Sequence, residues 1–296
     1  MSQFDLLIKN GTVYTAVETF DADIAVKDEK IIAIGKNLGN AERVIDAEGM
    51  LVLPGGIDPH CHIEQESSTR IMTADDFYSG SVSAAFGGNT TFLPFAAQHR
   101  GQSLREVVDT ARDRARVKSV IDYGLHLIIS DPTEKVLEEE LPSLIKEGYT
   151  SFKVYMTYEM LKINDREMLD ILALARKNGA MTMVHAENNE VITWITERLL
   201  TRGYHAPKFH AVSHTPIAES EASRRAIDLA RLVDAPLLIV HVSEPEAARA
   251  ILEARNKGLP IYGETCPQYL FLTVEDLDKN GMEGAKYCCS PPPRNK

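Results

Sequence analysis

Residues 50–62 read MLVLPGGIDPHCH. A short apolar run passes through Pro54, Gly55 and Gly56 into two histidines, His60 and His62, set two positions apart. In an extended strand, side chains alternate faces, so residues i and i+2 project the same way and both imidazoles can converge on one point. That is the geometry of two ligands on one metal. Taken alone, the pair is better read as surface or hydrogen-bonded histidines at a strand end, so the rest of the chain has to decide.

Outward from this stretch the chain repeats one pattern: apolar strand, polar loop, amphipathic helix. TTFLPFA, YGLHLIIS, SFKVYMT, AMTMVHAE, PLLIVHVSE and LPIYGETC follow as strand-like runs. The periodicity predicts helices near 75–86, 104–117, 134–147, 166–177, 190–202, 219–232 and 246–256. Seven strand runs alternating with helices indicate an α/β barrel or an open parallel sheet. The first fifty residues differ. DLLIKNGTVYT and DIAVKDEKIIAIG show short β-type alternation broken at Asn10-Gly11 and Asp28-Glu29, and RVIDAEGMLVLPGG adds another strand pair, so this part reads as a separate small antiparallel sheet. The chain closes on YCCSPPPRNK, a Pro-rich loop with no helix after it, which leaves an eight-unit barrel without its last βα unit.

The 296 residues are 44% hydrophobic, enough for a large core. A formal net charge of -11 argues against a nucleic-acid partner and against adsorption to anionic membrane, and favours a small or neutral substrate. Cys61, Cys266, Cys288 and Cys289 show no framework spacing and no C-x-x-C pattern, so they are expected to be reduced. No basic leader and no long apolar run is seen, and a cytoplasmic location is the expectation.

Placed on the βα rhythm, the polar residues of interest share one location. His60 and His62 close the first strand run, Lys153 lies in the fourth, His185 in the fifth and His241 in the sixth. C-terminal strand ends of such a barrel face a common mouth. Singly, His185 and His241 read as half-buried, hydrogen-bonded histidines and Lys153 as a lysine paired with a carboxylate. Together, five nitrogenous side chains at equivalent strand ends would repel or leave polar groups unpaired unless something shared satisfied them, and a metal centre does so. His126, within a strand, reads as structural. His99, at the second strand end, and His205, His210 and His214, in the polar stretch GYHAPKFHAVSHTP, read as solvated-loop residues.

PGGIDPHCH, SFKVYMTY, MVHAEN, LIVHVSEPEAA, GETCPQYL and CSPP, in that order, resemble the cyclic amidohydrolases of the dihydropyrimidinase and hydantoinase family, from about Leu6 to the last residue. The resemblance implies a TIM (β/α)8 barrel, incomplete here at its last unit, for residues 52–296. It also implies a β-sandwich built from both chain ends, with residues 1–51 as its N-terminal part, and a homotetramer. Two divalent ions, Zn2+ first among candidates, are implied as well. His60 and His62 would bind one, His185 and His241 the other, and Lys153, carboxylated on Nζ, would bridge them. An unmodified lysine is a cation and cannot do this, whereas its carbamate is an anionic two-oxygen ligand. A water between the ions would lose its proton near neutral pH and attack the ring carbonyl. Tyr158 matches the tyrosine that hydrogen-bonds the developing oxyanion, and Ser290 the position whose backbone holds the substrate ring. The family's aspartate ligand and a substrate-holding asparagine would fall beyond Lys296, so the chain is expected to be a fragment of a longer enzyme.

The implied reaction opens 5,6-dihydropyrimidines or hydantoins to N-carbamoyl amino acids. Dihydroorotase or allantoinase activity is an alternative, as is a non-catalytic scaffold of the same fold. Glu64, close after the H-x-H pair, is expected to disfavour the anionic substrate of a dihydroorotase, with Arg70 nearby as a counterweight. Retention of all five ligands argues against the scaffold.

Overall fold

The computed structural model describes residues 2–67 and 71–295, so Arg70 lies outside the described residues. Two compact units are present, Met1–Ile57 with Phe86–Thr91, and Asp58–Ala85 with Phe92–Lys296.

In the first unit, β1 (Phe4–Tyr14), β2 (Thr19–Lys27), β3 (Lys30–Gly35) and β4 (Ala41–Asp46) lie in the order β3-β2-β1-β4, and β5 (Leu51–Val52) also pairs with β1. The sheet is mixed rather than antiparallel. β1–β2 and β2–β3 are antiparallel, but after β3 the chain crosses to the far side of β1, where β4 and β5 enter parallel to it. The break at Asp28-Glu29 is a hairpin turn with both residues at positive φ (49° and 62°). Asn10-Gly11 is not a turn. Asn10 takes φ 63° inside β1 and makes a bulge between Ile8 and Gly11; its N–H is taken by Asp23 and its side-chain amide by Asp46.

A β/α succession follows: β6 (Gly56–Cys61), α1 (Phe77–Phe86), β7 (Asn89–Ala97), α2 (Leu104–Lys118), β8 (Asp122–Tyr123), β9 (His126–Ile128), α3 (Leu141–Lys146), β10 (Ser151–Tyr155), α4 (Asp165–Asn178), β11 (Met181–His185), α5 (Asn189–Thr201), α6 (Lys208–Ser213), α7 (Pro216–Leu232), β12 (Leu237–Ile239), α8 (Pro245–Asn256) and β13 (Ile261–Gly263). The seven strands of the rhythm lie side by side in chain order, β6-β7-β9-β10-β11-β12-β13, with β8 attached to β7. From β7 to β13 the pairing is parallel. The result is a parallel half-barrel. Two departures from the periodicity stand out. The 134–147 helix opens with a π turn over Val136–Glu140 before α3, and the polar stretch after α5 contains α6.

Alternation sorts the strand side chains into two packed sets. Phe152, Val154, Val184, Leu237 and Ile239 face the helices in one large cluster that includes Leu104, Leu141, Met168, Ile171 and Ala226. Phe95, Ile128, Tyr155, Met183 and Val240 face inward in a smaller one. Lys153 and His185 therefore share the inner face with Tyr155 and Met183, because each lies two positions from one of them. α4 shows why its boundaries fall where they do: Asn164 and Glu167 form a capping box, and Gly179 at φ 69° ends the helix in the left-handed conformation.

Candidate metal centre

Lys153 is 1% exposed in the middle of β10. Its nearest polar neighbour is an imidazole and not the carboxylate that a solitary lysine would be expected to find: Nζ lies 2.8 Å from His60 Nε2. The phenyl of Phe95 and the ring of Tyr155 cover the ammonium at 4.7 and 5.1 Å. Burial pushes the Lys153 amine down to about 7, against a smaller opposing pull from the Glu264 carboxylate.

The four histidines expected at strand ends surround this amine. Ring centroids are 5.5 Å apart for His60 and His62, 5.6 Å for His60 and His241, and 4.5 Å for His185 and His241. His60 is the last residue but one of β6, and His62 follows one residue past its end, stacked on Phe95 at 4.9 Å. His185 ends β11. His241 lies past the end of β12, not within it. Strict alternation after outward-facing Ile239 and inward-facing Val240 would turn His241 away from the others. Its backbone instead takes φ 43°, the left-handed region costly for a side chain with a Cβ, and the ring comes back against His185.

Three of the rings are held by a hydrogen bond through one nitrogen. His60 Nδ1–H donates to Glu264 Oε1 at 2.6 Å, which leaves the Nε2 lone pair toward Lys153. His62 Nδ1 meets Gln65 Oε1 at 2.7 Å, again freeing Nε2. His185 is held the other way round: Nε2–H donates to Glu187 Oε2 at 2.7 Å, so Nδ1 is the free nitrogen. His241 Nδ1 is buried without a hydrogen-bond partner. Burial holds the His185 imidazole below the usual range against the opposing pull of Glu187, and burial, then His185 and Lys153, hold His241 well below it. His62 is lowered too, by the protein packed round its ring and then by Lys153, although it is the most exposed of the four.

Neutral imidazoles with free nitrogens and an orphaned buried Nδ1 suit a divalent ion of zinc's type. Among the described residues, no three His, Cys, Asp or Glu side chains alone are disposed to hold an ion. The histidines are arranged round Lys153, whose ammonium form has no lone pair to give to a cation.

The rings open on a cavity of about 360 Å3 that Tyr155, Tyr158, Cys266, Gln268, Tyr269, Cys289 and Ser290 also line. A larger cleft of about 870 Å3 lies at the start of α4 and α5 and contains none of the histidines. Tyr158, at φ 70°, sets its ring 5.1 Å from His185 and lines the cavity together with Ser290. Burial, with Glu187 adding to it, raises the phenol above its usual value, so it stays a donor at neutral pH.

Several residues take places the sequence reading did not give them. Glu64, at φ 47°, leaves the cavity: its carboxylate holds Lys118 Nζ at 2.8 and 2.9 Å and accepts the Phe77 N–H. Its charge is met by Lys118 and does not face the imidazoles. His210 and His214 are not solvated-loop residues. His214 is buried with Nδ1 2.9 Å from Glu187 Oε1, and His210 Nε2 lies 2.9 Å from the Cys289 carbonyl and 3.1 Å from Ser290 Oγ. His205 is exposed. His126 is structural, bridging Ser151 Oγ and the Pro59 carbonyl. Glu187, fully buried, would be pushed up by burial, but the hydrogen bonds from His185 and His214 outweigh this and hold it well below the usual carboxylate range. All four cysteines are free, and no helix among the described residues is long and apolar enough to cross a membrane.

Comparison with known proteins places this geometry. Residues 51–267 match the amidohydrolase family. The chain is 47% identical over 293 residues to a D-hydantoinase of Geobacillus stearothermophilus, covering 98% of this chain and 62% of that protein. A crystal structure of a dihydropyrimidinase from Brevibacillus agri superposes with a TM-score of 0.94 at 46% identity, covering 98% of this chain and 63% of that one. A solved D-hydantoinase reaches a TM-score of 0.96 at 46% identity over 99% and 64%. The chain thus spans somewhat under two thirds of the length of the relatives it matches.

Proposed function

The chain belongs to the amidohydrolase family, and from that premise we propose that it carries the metal centre of a hydrolase that opens 5,6-dihydropyrimidine or hydantoin rings to N-carbamoyl amino acids. The observation that carries this reading is the set of four imidazoles round a buried lysine that, among the described residues, pairs with an imidazole and with no carboxylate. The names of the similar proteins, D-hydantoinase and dihydropyrimidinase, supply the substrate class.

In this reading His60 and His62 hold one divalent ion and His185 and His241 a second, with Zn2+ the first candidate. A Lys153 amine lowered to about 7 is partly neutral at physiological pH and can add CO2, becoming the anionic bridge that the imidazoles lack. When bound, the ions supply an acidic water and polarise the ring carbonyl. The protein's own part is to hold and orient. Glu264, Gln65 and Glu187 fix the tautomers of His60, His62 and His185. The Tyr158 phenol donates to the oxygen on which negative charge develops, and Ser290 holds the ring beside it. Cys266 and Cys289 line the cavity as thiols, because burial raises both above the ordinary thiol range.

The same reading takes the parallel half-barrel as the bulk of a (β/α)8 barrel and residues 1–51 as one part of a β-sandwich. The approach of the sheet's first and last strands, bridged by His60 and Glu264, supports closure. A cytoplasmic homotetramer completes the proposal. With Glu64 bound to Lys118, the preference over dihydroorotase or allantoinase chemistry rests on the similar proteins and not on charge at the mouth.

The test is elemental analysis and intact mass together with ring opening. Two equivalents of metal per chain, one CO2 adduct lost on acid treatment, and N-carbamoyl product from dihydrouracil or hydantoin are expected. A protein that binds no metal after incubation with zinc and bicarbonate would overturn the reading.

A further inference from the structure

Ser290 sits on a strap, residues 288–294, that has no helix or strand of its own. Something outside the strap must therefore set where Ser290 lies. The main-chain ties are few: the Cys288 N–H to the Ala285 carbonyl at 3.2 Å, the Cys289 carbonyl to His210 Nε2, the Pro291 carbonyl accepting the Tyr269 hydroxyl at 2.6 Å, and the Arg294 carbonyl accepting the Val274 N–H at 3.1 Å. One side chain does more than these. The Arg294 guanidinium donates to Glu219 Oε2 at 3.0 Å, to Ser243 Oγ at 3.0 Å and to the His214 carbonyl.

Those three partners come from segments that also support the metal centre. Ser243 is two residues past His241, and its N–H and hydroxyl both go to Glu219. His214 binds Glu187, which in turn binds His185. Glu219, on α7, is 2% exposed and the Arg294 side chain 14%, so the pair is shielded from water and salt. A shielded pair broken on one side leaves an uncompensated charge, which makes the contact decisive for local structure. The planar fork of Arg294 meets its three acceptors through three separate nitrogens, Nε, Nη1 and Nη2, a spread that the single nitrogen of lysine does not have.

We propose that Arg294, clamped by Glu219, is a positioning residue that fixes the Ser290 strap against Tyr158 and in register with His185 and His241. The inference rests on the functional reading above, in which Ser290 and Tyr158 hold the substrate. Arg294 touches no substrate itself. It acts by keeping the binding strap seated while leaving the metal centre and its chemistry in place.

The test uses the protein containing this chain, with Arg294→Ala, Arg294→Lys and Glu219→Gln compared with the parent for metal content, amide hydrogen exchange of the strap, and kcat and KM on hydantoin. Expected for Arg294→Ala are metal content equal to the parent, faster exchange confined to the strap, a KM raised roughly 10- to 100-fold with kcat changed far less, and partial recovery of KM on adding guanidinium at low, non-denaturing concentration. Arg294→Lys and Glu219→Gln, which keep the fold's polarity, should give the same split with smaller size. If Arg294→Ala instead loses metal and kcat together, or if KM stays within about twofold of the parent and strap exchange is unchanged in all three variants, the clamp is overturned. A parent protein that opens no ring would defeat the functional reading alone, and strap exchange would still decide the clamp.

Discussion

Replacing Lys153 by Met should stabilise the metal-free protein. The lysine is fully enclosed, and its amine is pushed from 10.5 down to about 7 chiefly by burial. At about 1.4 kcal/mol per factor of ten in proton affinity, that fall holds about 5 kcal/mol against the ammonium form. Below pH 7 the folded and unfolded chains both carry the proton, and the full penalty applies. Above pH 7 the folded lysine sheds its proton while the unfolded one keeps it to 10.5, so the unfolded state binds more protons and stability rises with pH. Between pH 7 and 9 about 2 kcal/mol is regained, and the rest by about pH 10.5. Methionine nearly conserves the volume and carries no charge. Its cost is the donor lost to His60 Nε2, about 1 kcal/mol. The expected net gain is about 3–4 kcal/mol at or below pH 7, shrinking toward zero or below by pH 10. Urea unfolding of chelator-stripped protein in CO2-free buffer, from about pH 6.5 to about 9.5, measures both profiles. A Lys153→Met variant less stable than the parent at pH 7, or a parent whose stability relative to the variant does not climb with pH, would refute an unpaired, desolvated lysine.

Tyr158→Phe should lower kcat roughly a hundredfold and raise KM much less, because the phenol's hydrogen bond strengthens as charge develops; steady-state kinetics on hydantoin decide it, and an unchanged kcat with a raised KM would make Tyr158 a ground-state binder. Glu264→Ala should weaken metal binding about 10- to 100-fold, and Glu264→Gln less, since the amide oxygen still accepts from His60 Nδ1–H; competition with a chromogenic chelator reads both. Glu187→Ala leaves two buried imidazole N–H groups, on His185 and His214, without their charged acceptor, and at about 1.5–3 kcal/mol each should cost about 3–6 kcal/mol in denaturant unfolding, with Glu187→Gln recovering part.

The centre was readable wherever it depends on period. A two-residue spacing puts His60 and His62 on one side, and apolar runs ending in polar residues put Lys153 and His185 on one inner face. What escaped depends on distance in the chain or on backbone sign. Glu264 meets His60 across 204 residues, and no local pattern announces such a partner. Glu64 and His241 both take positive φ, one turning out of the cavity and the other into it, which strand alternation cannot foresee. α6 was hidden because KFHAVS is a single helical turn and a half bounded by Pro207 and Pro216, too short to show a period. Its consequence is that His210 and His214, which look like surface residues in sequence, back the cavity wall.

The orphaned Nδ1 of His241 gives the centre one compliant wall among three stiff ones. His60, His62 and His185 each have a ring tethered to a neighbouring side chain, so a change in the size of whatever they bind meets resistance there. Among the described residues His241 Nδ1 has no such tether. In the proposed site, substituting manganese or cobalt for zinc should move this ring more than the other three. Tolerance to ion radius would then be set chiefly at one residue.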